Sequence, residues 1–294
     1  MTPLTRRRGW IATPYVFLAP ALVIIFVFII YPGVNMIYLS LCRASIMGKI
    51  AFTGMDNYVT LFTSSDFYSS LTASITFMIV VVVAQTSIAL AVALIVQSER
   101  KGMGALRTLF FIPVVLSFVV VAFLWKFLYN PDFGLINALF GALSIARQGF
   151  LSDPNQALGS MIVACIWKSF AFFMMIFIAG LKEIPNELYE AAHLDGAKPA
   201  QRLRFITLPL LRRTILFVVV ITTMDSFIKV FTPVFVMTDG GPRGRTDLLV
   251  YFIWRTAFRL GDIGYASAVA MLMFVFVLVI NLVQLKIGEV HDAH

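Results

Sequence analysis

Long stretches with no charge at all constrain this chain more than any other feature. No Asp, Glu, Lys or Arg occurs from residue 9 to 42, from 67 to 98, or from 108 to 125. A helix that crosses hydrocarbon needs about 20 mostly apolar residues, because only a helix satisfies its own backbone groups where lipid cannot. Spans are expected near 14–36, 71–97, 107–129, 157–181, 210–237 and 263–285. Of the 294 residues, 60% are hydrophobic and 13% charged. A soluble domain carries about 25% charged residues, so lipid is the expected solvent. The sequence reads as an all-α polytopic membrane protein with six transmembrane helices, forming a single transmembrane domain over 1–294.

The start, with Arg6, Arg7 and Arg8 before an apolar run, looks at first like a signal peptide. The run is too long and lacks a small-x-small cleavage site, so it reads as a retained span. An even number of spans puts both termini on one side. The Lys and Arg of the segments on that side number thirteen, against seven opposite, which places both termini in the cytoplasm of an inner, multi-pass membrane protein. The last outer loop, with Arg243, Arg245, Arg255 and Arg259, runs against the bias. The net charge of +8 lies between apolar runs and points to anionic lipid and topology rather than nucleic acid. Cys42 and Cys165 are isolated, and His193, His291 and His294 have no ligand spacing, so no metal is expected.

One inner loop does not look like a connector. Residues 182–209 read KEIPNELYEAAHLDGAKPAQRLRFITLP. Pro185 and Asn186 are start signals, with Asn186 the expected N-cap. Glu187 and Glu190 suit the positive end of a helix dipole. Leu188, Ala191, Ala192 and Asp195 share a face, and Gly196 is placed to end the helix. Pro199 can open a second short helix and Pro209 the fifth span. A face of small residues closed by glycine permits close approach of a partner, in the manner of a helix seated in a groove. The other reading is a helix lying on the membrane interface.

The string Glu190-Ala191-Ala192, then Asp195-Gly196-Ala197, then Ile206-Thr207-Leu208-Pro209 resembles the EAA loop of the permease subunits of binding-protein-dependent ABC importers. Three further strings resemble the carbohydrate and glycerol-phosphate branch, the maltose-type permeases. They are Gly54-Met55-Asp56-Asn57-Tyr58, Asn130-Pro131-Asp132-Phe133-Gly134-Leu135-Ile136-Asn137, and Thr238-Asp239-Gly240-Gly241-Pro242. The last is characteristic of one member of a permease heterodimer. The resemblance implies that Glu190, Ala191, Ala192, Asp195 and Gly196 form a coupling helix docked on an ATPase. It implies a second homologous permease, two cytoplasmic ATPase subunits and an extracytoplasmic binding protein that meets Thr238, Asp239, Gly240, Gly241 and Pro242.

No G-x-x-x-x-G-K-[ST] string occurs, so ATP and magnesium are expected on the partner ATPase and no cofactor on this chain. No nucleophile constellation or His-Glu-x-x-His helix supports an enzyme. A secondary, ion-coupled transporter is the alternative. It predicts inverted repeats and Gly/Pro-broken spans in matching positions, neither of which is visible. A membrane enzyme acting on lipid head groups would need a polar catalytic cluster at one interface.

Charges inside spans are costly and usually face a cavity. Lys126 is near a span end and can snorkel. Lys168 is near the centre of the fourth span. Asp225 and Lys229, four apart on the fifth, share a face with Thr222 and Ser226 and can pair. By the resemblance, the positions that touch sugar in this family fall on Cys165, Lys168, Ser169, Thr222, Ser226 and Lys229. Two lysines stand where a neutral-sugar site would favour amides and small residues. They suggest a phosphate-bearing polyol, such as a glycerol phosphate or glycerophosphodiester, with a neutral sugar as runner-up.

Overall fold

The computed structural model describes residues 13–98 and 100–290. Arg6, Arg7, Arg8, His291 and His294 lie outside the described residues. The chain divides into two compact units. One takes the described residues through Thr63 together with Arg255–Leu272, and the other takes Ser64–Trp254 and resumes at Met273.

The first unit opens with α1 (Tyr15–Ser40), whose apolar window is 0% buried. Its apolar residues occur all round and give it no inner face, as expected of a helix surrounded by lipid or by another chain. Then comes a feature the sequence reading did not anticipate. Strands β1 (Cys42–Ala44) and β2 (Ile50–Phe52) form an antiparallel hairpin, pairing Cys42 with Phe52 and Ala44 with Ile50. Helix α2 (Asp56–Thr63) follows. The Asn57 side-chain amide donates to the carbonyls of Ser40 and Cys42, both at 2.9 Å. The Tyr58 hydroxyl donates to Ser40 Oγ at 2.9 Å. The string Gly54–Tyr58 therefore clamps the end of α1 to the hairpin.

In the second unit, α3 (Ser65–Val96) begins at Ser64, whose side chain accepts from Phe67 N. It buries a stripe through Phe67, Ser70, Ser74, Phe77, Val81, Gln85, Ala89, Ala93 and Val96. The spacing of three and four keeps that stripe on one face. It packs on α7 (Ala157–Lys182). With 61% of its apolar window buried, against 28% for α3 and 33% for Arg212–Thr238, α7 is the central post of this unit. Its own Met161, Phe173, Met174 and Phe177 share one buried core with Phe77 of α3.

The segment read as one span near 107–129 is two helices, α4 (Met103–Val115) and α5 (Phe118–Leu128), bent by 98° at the break. Pro113 lies inside α4, where it removes a backbone donor. Leu116 is extended, and the Ser117 side chain accepts from Val119 N to start a new helix. Among the described residues five helices are long and apolar enough to cross a membrane, and this pair makes a sixth span if counted as one. Helix α6 (Leu135–Ala142) closes a turn in which Asn130 Oδ1 accepts from Asp132 N and Phe133 N.

After α7 come α8 (Asn186–Leu194), α9 (Pro199–Arg202) and α10 (Arg212–Ile228). Pro209 sits in a three-residue turn, Leu208–Leu210, and the long helix starts at Arg212. It ends at Lys229, four residues before Pro233, because proline cannot donate to the Lys229 carbonyl. A wide helical turn, Val234–Thr238, carries the chain to a tight loop and to α11 (Leu249–Trp254). The last helix, α12 (Ile263–Val290), runs from the first unit into the second.

Candidate functional site

Three places gather the residues singled out above, all in the second unit. The first is the segment between α7 and α10. Pro185, not Asn186, holds the N-cap position of α8, and Asn186 is the first helical residue. The proline presets its own φ and has no N–H to satisfy at an end where donors are already in excess. At the other end, Ala197 N donates to Ala192 O at 2.9 Å and Gly196 N to His193 O at 3.0 Å. With Gly196 at φ +75, these bonds make a Schellman closure, which favours glycine at that position. The helix hangs from the bundle by Tyr189, whose hydroxyl lies 3.0 Å from Thr207 Oγ1. Glu190, Ala191, Asp195 and Gly196 are exposed and Ala192 is half-buried. Leu194 is 88% exposed, an apolar surface this chain leaves uncovered.

The second place is a narrow cleft of about 30 Å³ walled by α3, α7 and α10, with Phe118 from the start of α5. Cys165 and Ser169 line it from α7, and Thr222, Asp225 and Ser226 from α10, with Lys229 at that helix's end. Lys229 Nζ donates to Asp225 Oδ2 at 2.8 Å, forming the pair that their spacing allowed. Ser226 Oγ donates to the Thr222 carbonyl at 2.8 Å, while Thr222 Oγ1 is buried with no partner. Gln85, Phe77 and Val81 complete the wall from α3. The sequence reading passed over these three. Gln85 had a signal, as the only amide side chain between Ser65 and Val96.

Lys168 does not line this cleft. It is buried to 7% exposure. Its Nζ donates to the Val114 carbonyl at 2.7 Å and stands 5.4 Å from the Phe118 ring centroid. Val114 lies where α4 stops, so its carbonyl has lost the helical donor four residues on. Lys168 takes that donor's place. Lys126 acts alike, donating to the Val236 carbonyl at 3.0 Å in the wide turn Val234–Thr238.

The third place is the turn after α10. Asp239 has φ +52 and Gly240 φ +81. Tyr251 Oη donates to Asp239 Oδ1 at 2.6 Å. A Cβ on Gly240 would stand 2.8 Å from Tyr251 Cε1. Thr246 Oγ1 donates to the Gly241 carbonyl and lies 2.7 Å from Thr238 Oγ1. The string Thr238–Pro242 is thus folded on itself, and of its residues only Asp239 is exposed, with Arg243 and Arg245 exposed just beyond. Gly240→Val is expected to open this turn and raise trypsin cleavage at Arg243 and Arg245 several-fold in intact vesicles.

Comparison with known proteins bears on all three places. The family model described as "Binding-protein-dependent transport system inner membrane component" matches residues 85–288. "Probable ABC transporter permease protein YurN" of Bacillus subtilis is 36% identical over 278 residues, covering 93% of this chain and 94% of its own. "Trehalose/maltose transport system permease protein MalF" of Thermococcus litoralis is 34% identical, covering 94% and 93%. "sn-glycerol-3-phosphate transport system permease protein UgpA" of Brucella abortus is 31% identical, covering 94% of each. A bacterial ABC transporter involved in the import of alginate has a solved chain of the same fold, with a TM-score of 0.85 and 96% of both chains covered at 24% identity. With a family match that takes in most of the cleft, the exposed helix α8 and the folded turn, this chain belongs to the inner-membrane permease components of binding-protein-dependent ABC transport systems.

Proposed function

We propose that the chain is one half of the translocation path of an ATP-driven importer for a small hydroxyl-rich solute. The observation that carries this reading is the connection of the cleft to the exposed helix. The helices that supply Cys165, Ser169, Thr222 and Ser226 are the two that flank α8. In this reading α8 docks on a cytoplasmic ATPase through Glu190, Ala191, Ala192, Asp195 and Gly196. ATP-driven motion of α8 then tilts α7 and α10 and turns the cleft from one side of the membrane to the other. A second permease supplies the facing wall, and both termini lie in the cytoplasm. A loaded binding protein reaches the outer side at the turn Thr238–Pro242, chiefly at exposed Asp239. ATP and magnesium act on the ATPase, and this chain carries no catalytic group.

Charge in the cleft favours a neutral member of the substrate class. Lys229 is paired with Asp225 at 2.8 Å, and Lys168 is engaged by the Val114 carbonyl and the Phe118 ring. A phosphate ester brought to Lys229 would meet the like charge of Asp225 beside it, while Lys168 is already turned to the Val114 carbonyl. Hydroxyls can bond the Asp225–Lys229 pair without breaking it, since a carboxylate accepts and an ammonium donates. The test is competition in proteoliposomes holding the complete importer and its binding protein. Neutral mono- and disaccharides are expected to be accumulated, with sn-glycerol-3-phosphate a poor competitor. Asp225→Asn together with Lys229→Gln should lower uptake by about tenfold, the loss expected for one to two hydrogen bonds. Robust uptake driven by an ion gradient without ATP would instead favour a secondary transporter.

A further inference from the structure

We infer that Gln85 is a specificity-determining residue of the cleft, reading a ligand hydroxyl from the wall that α3 supplies. The inference rests on the proposed transport of a hydroxyl-rich solute and deepens it.

Gln85 is 3% exposed and lines the cleft. Its neighbours on the buried stripe of α3 are Phe77, Val81, Ala89 and Ala93, none of which has a polar side chain to offer it. Ser74, on the same stripe, is committed elsewhere. Ser74 Oγ donates to the Ser70 carbonyl and accepts from Leu249 N, both at 2.8 Å. Among the described residues the Gln85 amide takes no hydrogen bond. Buried polar groups are nearly always paired, and one that is not calls for a cause.

A second polar group in the same cleft is more deeply enclosed than the Gln85 amide. Thr222 Oγ1, from α10, is buried and has no partner. An amide and a hydroxyl on two different helices, lining one cleft that also contains an ion pair, offer a polar ligand both donors and acceptors. The chemistry narrows the class. An amide offers a donor and an acceptor side by side, and a hydroxyl offers one of each. A sugar hydroxyl can therefore satisfy both ends of Gln85 with its neighbour, whereas a fully ionised phosphate, which only accepts, leaves the amide oxygen unmet. A site built to bond a hydroxyl rejects an analogue without it far more strongly than an apolar pocket rejects an added group.

The test uses the complete importer with its binding protein in proteoliposomes. The probes are maltose, trehalose, glucose and the monodeoxy derivatives of whichever is accumulated. Gln85→Met keeps the length of the side chain and removes the amide. It is expected to cut uptake of the parent sugar about tenfold. Uptake of one deoxy derivative should remain equal in parent and variant, because that hydroxyl is the one Gln85 reads. Recovery of the intact complex with its ATPase subunits by size-exclusion chromatography is the check on assembly for Gln85→Met and Gln85→Asn. The inference is overturned if Gln85→Met slows every probe by the same factor, or leaves the ranking of sugar and deoxy sugar unchanged. If the parent complex accumulates none of the neutral sugars, the hydroxyl-rich cargo itself is wrong and the role of Gln85 falls with it.

Discussion

Lys168→Met should destabilise the assembled permease by about 2 kcal/mol and lower uptake of every cargo by at least about tenfold. Lys168 Nζ meets the Val114 carbonyl at 2.7 Å, where the 98° bend between α4 and α5 has removed the helical donor. Methionine fills most of the volume and restores no donor. A buried acceptor left unpaired costs about 1–3 kcal/mol, and a bond to a charged donor is worth about 1.5–3 kcal/mol. The same loss frees Phe118, which borders the cleft. The measurement is a thermal melt of the detergent-purified complex beside an uptake assay. A drop in Tm of about 5 °C follows from about 2 kcal/mol in a chain of this size. If the lysine met cargo directly, the variant would shift apparent affinity for anionic solutes and leave Tm in place.

Gly196→Val should abolish transport with the membrane spans intact. The residue stands at φ +75, where an L side chain costs about 1–2 kcal/mol and a β-branched one fits worst. That strain falls on a nine-residue helix with no buried residue and few bonds to the bundle. Such a helix has little stability to lose, so its last turn and the exposed Leu194 change position. ATP hydrolysis in the complex is expected to stop responding to the loaded binding protein. Gly196→Asn, which tolerates the left-handed region, should keep a measurable part of the response. Equal loss in both variants would point to the absent Cβ, rather than the φ angle, as the requirement.

These two positions show how unevenly the sequence discloses the molecule. Gly196 was legible because helix punctuation is local, with capping residues a few positions from the bonds they close. Spans were legible because hydropathy sums over some twenty residues and tolerates errors at any one. The bend at Leu116–Ser117 was not, since a single proline and a single serine inside an apolar run leave that sum almost unchanged. Lys168 was visible as a charge out of place, but its acceptor is a backbone carbonyl, which every residue possesses and no residue type marks. The hairpin at 42–52 escaped for a similar reason, with strands of three residues too short to show alternation. Gln85 carried a signal in its isolation, but an uncharged amide barely stands out in a run whose defining mark is the absence of charge.

The two lysine–carbonyl contacts also impose an order on biogenesis. Lys168 bonds a carbonyl 54 residues earlier in the chain, whereas Lys126 bonds one 110 residues later. A chain made from its N-terminus presents Lys168 to the membrane when its acceptor is already synthesised. Lys126 emerges long before Val236 exists. Until the fifth span arrives, it must keep its head group in water at the bilayer surface, where a long side chain can hold it. The exposed end of α5 is thus a late-closing seam of this protein, and nascent chains stalled before residue 236 should leave Lys126 open to amine-reactive labelling.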